Sequence, residues 1–461
     1  MAKPPSGWLS RFHATLGRLP DVRSFLHRLV TRIGHLSRRT LFFAVFAATI
    51  VPQLAAGTYL PMPPLDRIGE RARMDEPYFA RIALSLVEEG RYAEGTLRGY
   101  RPPGYPAFVA GVVRIAGRSG RVMQTIQSVL FALSAALLTV LAARRWGSLS
   151  GGVTGVLIAT NVAWLVRPQV LMSETLFLAL VVLALMAFDR AAVPAGRGFL
   201  ATFLAGAVFG ASALTREIGL FHLAGAAVTL VLLMPSPARL LRPAVLCLAG
   251  ALCVVPWALR NRAVFGRVIP VTTNGPINLY MGNNPTYDAG LRGEAASPVG
   301  ESAWRVPERV RAVWNTPTST PADELAVMDA AAAYAIDFIK SDPLAFFHRG
   351  MVKSLRTWGF VPIGDDGRTE TIARLLRNAW WLFVAPLGIL GLVRMRRDPL
   401  LLSLSLTLLA SVGIHFATMG GVNYRLPWEI LLVLPAACVV AETLRQRAEA
   451  STAPSATMPA A

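Results

Sequence analysis

The chain has 461 residues, 54% of them hydrophobic and only 16% charged, a balance too apolar for an ordinary soluble enzyme. Its formal charge of +19 comes almost wholly from arginine, since the only lysines are Lys3, Lys340 and Lys353. Nucleic-acid binding would need that charge on a soluble basic module, and no such module is evident, so composition points to an integral membrane protein.

Residues 1–39 read as a basic arm, with Arg11, Arg18, Arg23, Arg28, Arg32, Arg38 and Arg39 against the single acid Asp21, and the arginine excess places it in the cytoplasm. Ten runs of membrane-spanning length follow, near 40–60, 121–143, 149–166, 170–188, 199–215, 218–234, 242–259, 379–394, 399–418 and 427–442. The expected fold is therefore an all-α polytopic membrane protein with about ten transmembrane helices. Alternation from a cytoplasmic arm then puts every short basic loop inside: Arg144-Arg145, Arg190 and Arg197, Arg239 and Arg242, Arg394 to Arg397, and Arg445 with Arg447. An N-terminal membrane module, 40–259, contains the first external connection, 61–120. Within that connection Pro77 to Glu89 has the apolar spacing of an interfacial helix, and Pro106 to Ala116 is too short to cross alone. Residues 260–378 form an external, partly helical cap, with helical patterns at 321–340 and after Pro343. Residues 379–442 return to the membrane, and 443–461 form a cytoplasmic tail that reads as disordered from Glu449.

The unusual polar residues gather on the external side. Asp75-Glu76 lies just past the first run, and Arg101-Pro-Pro-Gly-Tyr-Pro comes shortly after. A carboxylate can deprotonate an acceptor and an arginine can hold a phosphate through paired hydrogen bonds, so the two motifs suit group transfer from a phosphate-bearing lipid. The plainer readings are a solvated helix cap and a headgroup anchor. Glu174 sits just inside the outer end of a run, where an ionised carboxylate needs a partner or a water-filled cavity; the alternative is a dipole-stabilised first-turn acid behind Ser173 as cap. Arg216 occupies a tight outer turn, Arg260-Asn261 follows Pro256-Trp at another outer helix end, and Arg425, beside Tyr424, begins the last run. Such an external basic cluster suits an anionic donor. His222 and His415 read as packing residues and Cys247, Cys253 and Cys438 as apolar core, without metal-ligand spacing.

Taken in order, Asp75-Glu76-Pro-Tyr78, Arg101-Pro-Pro-Gly-Tyr-Pro106, Ser173-Glu174-Thr-Leu-Phe177, Leu214-Thr-Arg216, Pro256-Trp-Ala-Leu-Arg-Asn261, Gly282-Asn-Asn-Pro285 and Tyr424-Arg-Leu-Pro427 resemble the motifs of a known family. This is the polyprenyl-phosphate-dependent glycosyltransferases of the GT-C superfamily, in the branch shared by protein O-mannosyltransferases and lipid A aminoarabinose transferases. The resemblance implies inverting transfer of a sugar from a polyprenyl-phosphate donor to an acceptor hydroxyl at the external face. Asp75 would be the general base, and Glu76 and Glu174 would orient the acceptor. Arg101, Tyr105, Arg216, Arg260, Asn261, Tyr424 and Arg425 would bind the donor phosphate or substrate. Arg101 stands where some relatives have lysine before the paired prolines.

The resemblance requires no cofactor; a divalent-metal site built from Asp75, Glu76 and Glu174 ranks lower, because arginines neutralise the leaving phosphate. The expected partners are a polyprenyl-phosphate-linked sugar, an envelope glycan, lipid or protein acceptor, and membrane lipids, with no nucleic acid. A bacterial inner membrane is the expected setting, with both termini cytoplasmic. A transporter or lipid-linked-sugar flippase is the competing class, but it would place polar residues and broken helices near the midplane. A non-catalytic assembly protein, the third class, would tolerate neutral substitution of Asp75.

Overall fold

The computed structural model describes residues 22–71, 75–193, 198–285, 287, 320–359 and 372–450. The parts of the arm (1–21), the cap (288–319 and 360–371) and the tail (451–461) that fall elsewhere lie outside the described residues. Described residues are helical apart from short connections and one isolated bridge between Glu94 and Leu97.

The arm contributes α1 (Val22–Gly34), a helix that its basic composition did not announce. The first span is α2 (Arg38–Tyr59), capped by the Ser37 hydroxyl, which accepts from the Thr40 N–H at 3.0 Å. The connection after this span then folds as a 3₁₀ turn (Leu65–Arg71), α3 (Glu76–Glu88) and α4 (Gly104–Ala116), matching both short helices expected there. Phe79, Ala80 and Ala83 of α3 lie at helical spacing and bury against Tyr105, Val109 and Val113 of α4. Each large side chain buried there contributes roughly 1.5–3 kcal/mol, enough to hold a platform made of helices too short to span.

The bundle continues as α5 (Gly120–Trp146), α6 (Ser148–Ala159), α7 (Val162–Val166), α8 (Glu174–Ala191), α9 (Gly198–Thr215), α10 (Gly219–Leu233) and α11 (Ala238–Phe265). Small residues let α9 and α11 approach closely: a Cβ on Gly206 would lie 2.1 Å from the Leu246 carbonyl oxygen. The cap contributes α12 (Gly275–Met281), α13 (Pro321–Ser341) and α14 (Pro343–Thr357). The chain then forms α15 (Ile372–Arg394), α16 (Pro399–Ala417), α17 (Val422–Leu431) and α18 (Val433–Ala450). The largest apolar core joins α5, α8, α9, α16 and α18 through residues such as Phe131, Val181, Phe209, Leu404 and Leu434.

Among the described residues seven helices are long and apolar enough to cross a membrane, and the protein is an integral membrane protein. All ten expected runs are helical, but three depart from a plain span. The run at 149–166 is bent by 62° between α6 and α7, where Asn161 leaves the helix and its side chain accepts from the Trp164 N–H. The α8 helix carries Glu174, Asp189 and Arg190 within its 18 residues, and α10 has only 15. Counting the bent pair as one span gives eight by length and composition.

Candidate active site

Asp75 immediately precedes α3, with Pro77 in the first helical turn and no side-chain cap bond from Asp75 itself. Its carboxylate instead accepts from Arg101 Nη2 at 2.6 Å. The solvated-cap reading therefore does not describe this acid. Arg101 is only 16% exposed in its side chain, against 36% for Asp75, and its guanidinium lies over the rings of Tyr78, Tyr100 and Phe79. Burial pulls the Arg101 pKa down, but Asp75 reverses the balance and the net shift is upward, so the arginine stays charged. Its Nε is buried without a hydrogen-bond partner, an orphan donor beside a half-exposed carboxylate.

Glu76 points inward and is 4% exposed, accepting from the Leu171 N–H at 2.8 Å. That bond ties the platform to the segment leading into α8, three residues before Glu174. Glu174 is buried and has Arg167 Nη2 and Arg216 Nη1 each 2.7 Å from its Oε1. Ser173 makes no side-chain cap; its hydroxyl accepts from Arg216 at 3.2 Å. Glu174 Oε2 has no hydrogen-bond partner, an orphan acceptor to set beside the orphan donor on Arg101.

Two observations place these groups near one another. A Cβ on Gly104 would lie 2.9 Å from the Leu214 carbonyl oxygen, so the start of α4 abuts the end of α9 and the turn holding Arg216 and Glu217. The Tyr424 phenol lies within electrostatic reach of Arg216, Asp75, Arg101 and Glu217. From the cap, Glu324 on α13 is fully buried and accepts from the Arg98 N–H (2.6 Å), the Gly99 N–H (3.2 Å) and the Thr273 hydroxyl (2.6 Å), pinning the strip that leads to Arg101. Beside that strip Tyr92 donates to the Arg101 carbonyl at 2.6 Å. Burial pushes the Tyr100 phenol up to about 12 and raises the Glu94 carboxyl, the latter opposed by its bond to Arg81.

Sequence reasoning thus placed Asp75, Arg101, Glu174, Arg216 and Tyr424 in one region, and Glu76 joins it as an internal brace. Four of the residues expected to bind donor or substrate make internal contacts in the structure. Tyr105 is fully buried, stacked edge-on against Phe79, with its hydroxyl donated to Gln127 Oε1 at 2.6 Å. Asn261 is fully buried and its amide donates to the carbonyls of Ile269 (2.9 Å) and Val271 (3.3 Å), closing the turn after α11. Arg260 donates to the Arg98 carbonyl at 2.7 Å and stacks on Trp257, which makes it a support for the Arg101 strip. Arg425 is fully buried, bonded to Glu429 (2.9 Å) and Asn378 (3.2 Å) and stacked on Trp381. The acid that holds it, Glu429, also accepts from Arg377 at 3.1 Å.

Arg167 and Glu217 were missed. Each is a charged residue in a very short connection between apolar runs, the same signal that singled out Arg216. His222 packs among Phe209, Trp428 and Phe177, as expected of a core histidine. Among the described residues, no three of histidine, cysteine, aspartate and glutamate gather to hold a metal ion.

No protein-family model matches the chain, and no curated protein sequence matches it. Its fold is similar to ArnT from Cupriavidus metallidurans in the apo state, at 14% identity and a TM-score of 0.38, over 89% of this chain and 78% of that one. The same protein bound to undecaprenyl phosphate matches at 13% identity and a TM-score of 0.39, over 87% and 78%. The archaeal oligosaccharyltransferase AglB from Archaeoglobus fulgidus, in complex with an inhibitory peptide and a dolichol-phosphate, matches at 15% identity and a TM-score of 0.49, over 91% of this chain and 52% of that one. At these levels the likenesses carry no functional weight of their own.

Proposed function

We propose that the protein is an inverting glycosyltransferase that moves a sugar from a polyprenyl-phosphate donor to an acceptor hydroxyl at the external face of a bacterial inner membrane. The observation that carries this reading is the Asp75–Arg101 pair, with an unpartnered Arg101 Nε beside it. A carboxylate and an arginine with spare donor capacity serve the two halves of a displacement.

In the proposed reaction Asp75 accepts the proton of the acceptor hydroxyl as its oxygen bonds to the anomeric carbon. The bond from that carbon to the lipid-phosphate oxygen breaks on the opposite side, and its electron pair leaves on the phosphate. Arg101 and Arg216 stabilise the charge that develops there, preorganised by their bonds to Asp75 and Glu174. Glu76, committed to the Leu171 N–H, positions the acidic segment and takes no proton in this scheme. The free Oε2 of Glu174 is an acceptor for a sugar hydroxyl. The scheme calls for no metal.

The test is sugar transfer by purified protein in lipid, supplied with labelled polyprenyl-phosphate sugars and an envelope acceptor fraction. Asp75→Asn should fold normally and lose transfer by at least about a hundredfold, the scale of a general base. Full transfer by a well-folded Asp75→Asn protein would remove the proposed base. Donor movement across the bilayer without transfer would instead favour a flippase.

A further inference from the structure

We propose that Glu217 is a positioning residue of this site: protonated, it holds the turn between α9 and α10 in the form that accepts a lipid phosphate, and ionised, it weakens that phosphate's hold. The inference deepens the function proposed above and rests on it.

The geometry concerns one hydroxyl and two acceptors. Thr272 Oγ1 is hydrogen-bonded both to Glu217 Oε1 and to Asn274 Oδ1, the latter at 2.9 Å. A threonine hydroxyl has one hydrogen and can donate it to only one of them. Asn278 Nδ2 also approaches Asn274 Oδ1, at 3.5 Å. The arrangement closes when the carboxyl carries the second proton. Glu217 then donates to Thr272, and Thr272 donates to Asn274. Loss of the proton reverses the first bond, swings the threonine hydrogen to the carboxylate and strips Asn274 of that donor. The relay joins the turn after α9 to the segment that opens α12.

The charged and titratable groups facing Glu217 are Arg216 on its own turn, Arg101 from the strip before α4, and Tyr424 from α17. The two arginines are those proposed to hold the phosphate. Each already has a carboxylate partner, Glu174 and Asp75 respectively. A third carboxylate charge offsets their remaining positive potential, whereas a neutral acid leaves it intact. At this half-buried position desolvation outweighs the arginines and pushes the Glu217 carboxyl up to about 7. The neutral form therefore dominates below that pH, and the charge appears as pH rises through it.

The experiment measures binding of undecaprenyl phosphate to the full-length protein in nanodiscs on either side of neutrality, for wild type and Glu217→Gln. The probe's own phosphate titrates at about pH 6, but does so equally against both proteins, so the informative quantity is their affinity ratio. Wild-type affinity should fall about fivefold relative to Glu217→Gln as pH rises through about 7. Infrared difference spectra should show a protonated-carboxyl band in wild type that is absent from Glu217→Gln and disappears over the same pH range. A pH-independent affinity ratio, or the absence of that band below neutrality, overturns the proposal. If the probe binds, Arg101→Gln weakens it and the ratio stays flat, only the role of Glu217 fails. If the probe binds at no pH, the donor reading fails and this inference falls with it.

Discussion

Glu174 shows how a residue changes meaning once its neighbours are known. In the sequence it is an acid near a helix end with a serine before it; in the fold it is a buried carboxylate facing Arg167 and Arg216. Replacing it with glutamine leaves two arginines without their counterion, and breaking such a buried cluster costs about 3–5 kcal/mol. Denaturant unfolding in detergent should show that loss for Glu174→Gln, and stability equal to wild type would refute the arrangement. Ser173→Ala, which removes one hydroxyl from Arg216, should cost only about 1 kcal/mol. Legibility at this scale followed solvent access. Asp75 and Arg101 stood out because they lie in a connection beside an apolar run. For Tyr105 and Asn261 a motif could not reveal that Gln127, 22 positions away, takes the tyrosine hydroxyl, or that two carbonyls of the following turn occupy the asparagine amide.

At the scale of elements, the short helices outside the spans matter through what they hold in place. The α3 and α4 platform was legible from apolar spacing and from proline at the helix starts. The clamp from the cap was not, because Glu324 lies more than 220 positions from the backbone N–H groups it accepts. Glu324→Ala leaves the Arg98 and Gly99 N–H groups and the Thr273 hydroxyl without their acceptor, at roughly 1–3 kcal/mol for each group left buried. Hydrogen exchange should then accelerate at residues 97–101, and transfer should fall because Arg101 loses its fixed position. Unchanged exchange in that strip would separate the cap from the site. The Gly282-Asn-Asn-Pro motif has a structural account of the same kind. Asn283 donates to the Ala417 carbonyl at 2.8 Å, and the buried Lys353 ammonium donates to the Gly282 carbonyl at 3.1 Å, so the motif fastens the cap to the end of α16.

Across the whole molecule, charge is divided between the two ends of the bundle. At the end opposite Glu174, Asp189 pairs with Arg144 and Arg145, and Arg145 also bonds Asp398 at 2.7 Å. The 15 residues from Glu174 to Asp189 along α8 correspond to roughly 22 Å, so the two clusters lie at opposite ends of that helix. In a cysteine-free background, a single cysteine at Arg91 should react with an impermeant reagent from outside, and one at Arg396 only after the membrane is opened. The reverse pattern would invert the proposed topology and place the Asp75 site in the cytoplasm.

Hydropathy and arginine placement, read from the sequence alone, determined that this is an all-helical membrane protein with conspicuous acids and arginines in the connections between its helices. Those properties depend on local composition: apolar runs must avoid water, and arginine must remain near it. Tertiary structure decided which charges meet. It paired Asp75 with Arg101, closed Arg167 and Arg216 around Glu174, turned Glu76 inward, assigned Arg425 to Glu429, and placed Glu217 against Thr272. Ion pairs and hydrogen bonds act over a few ångströms between residues far apart in the chain, and only packing the helices brings those residues within range.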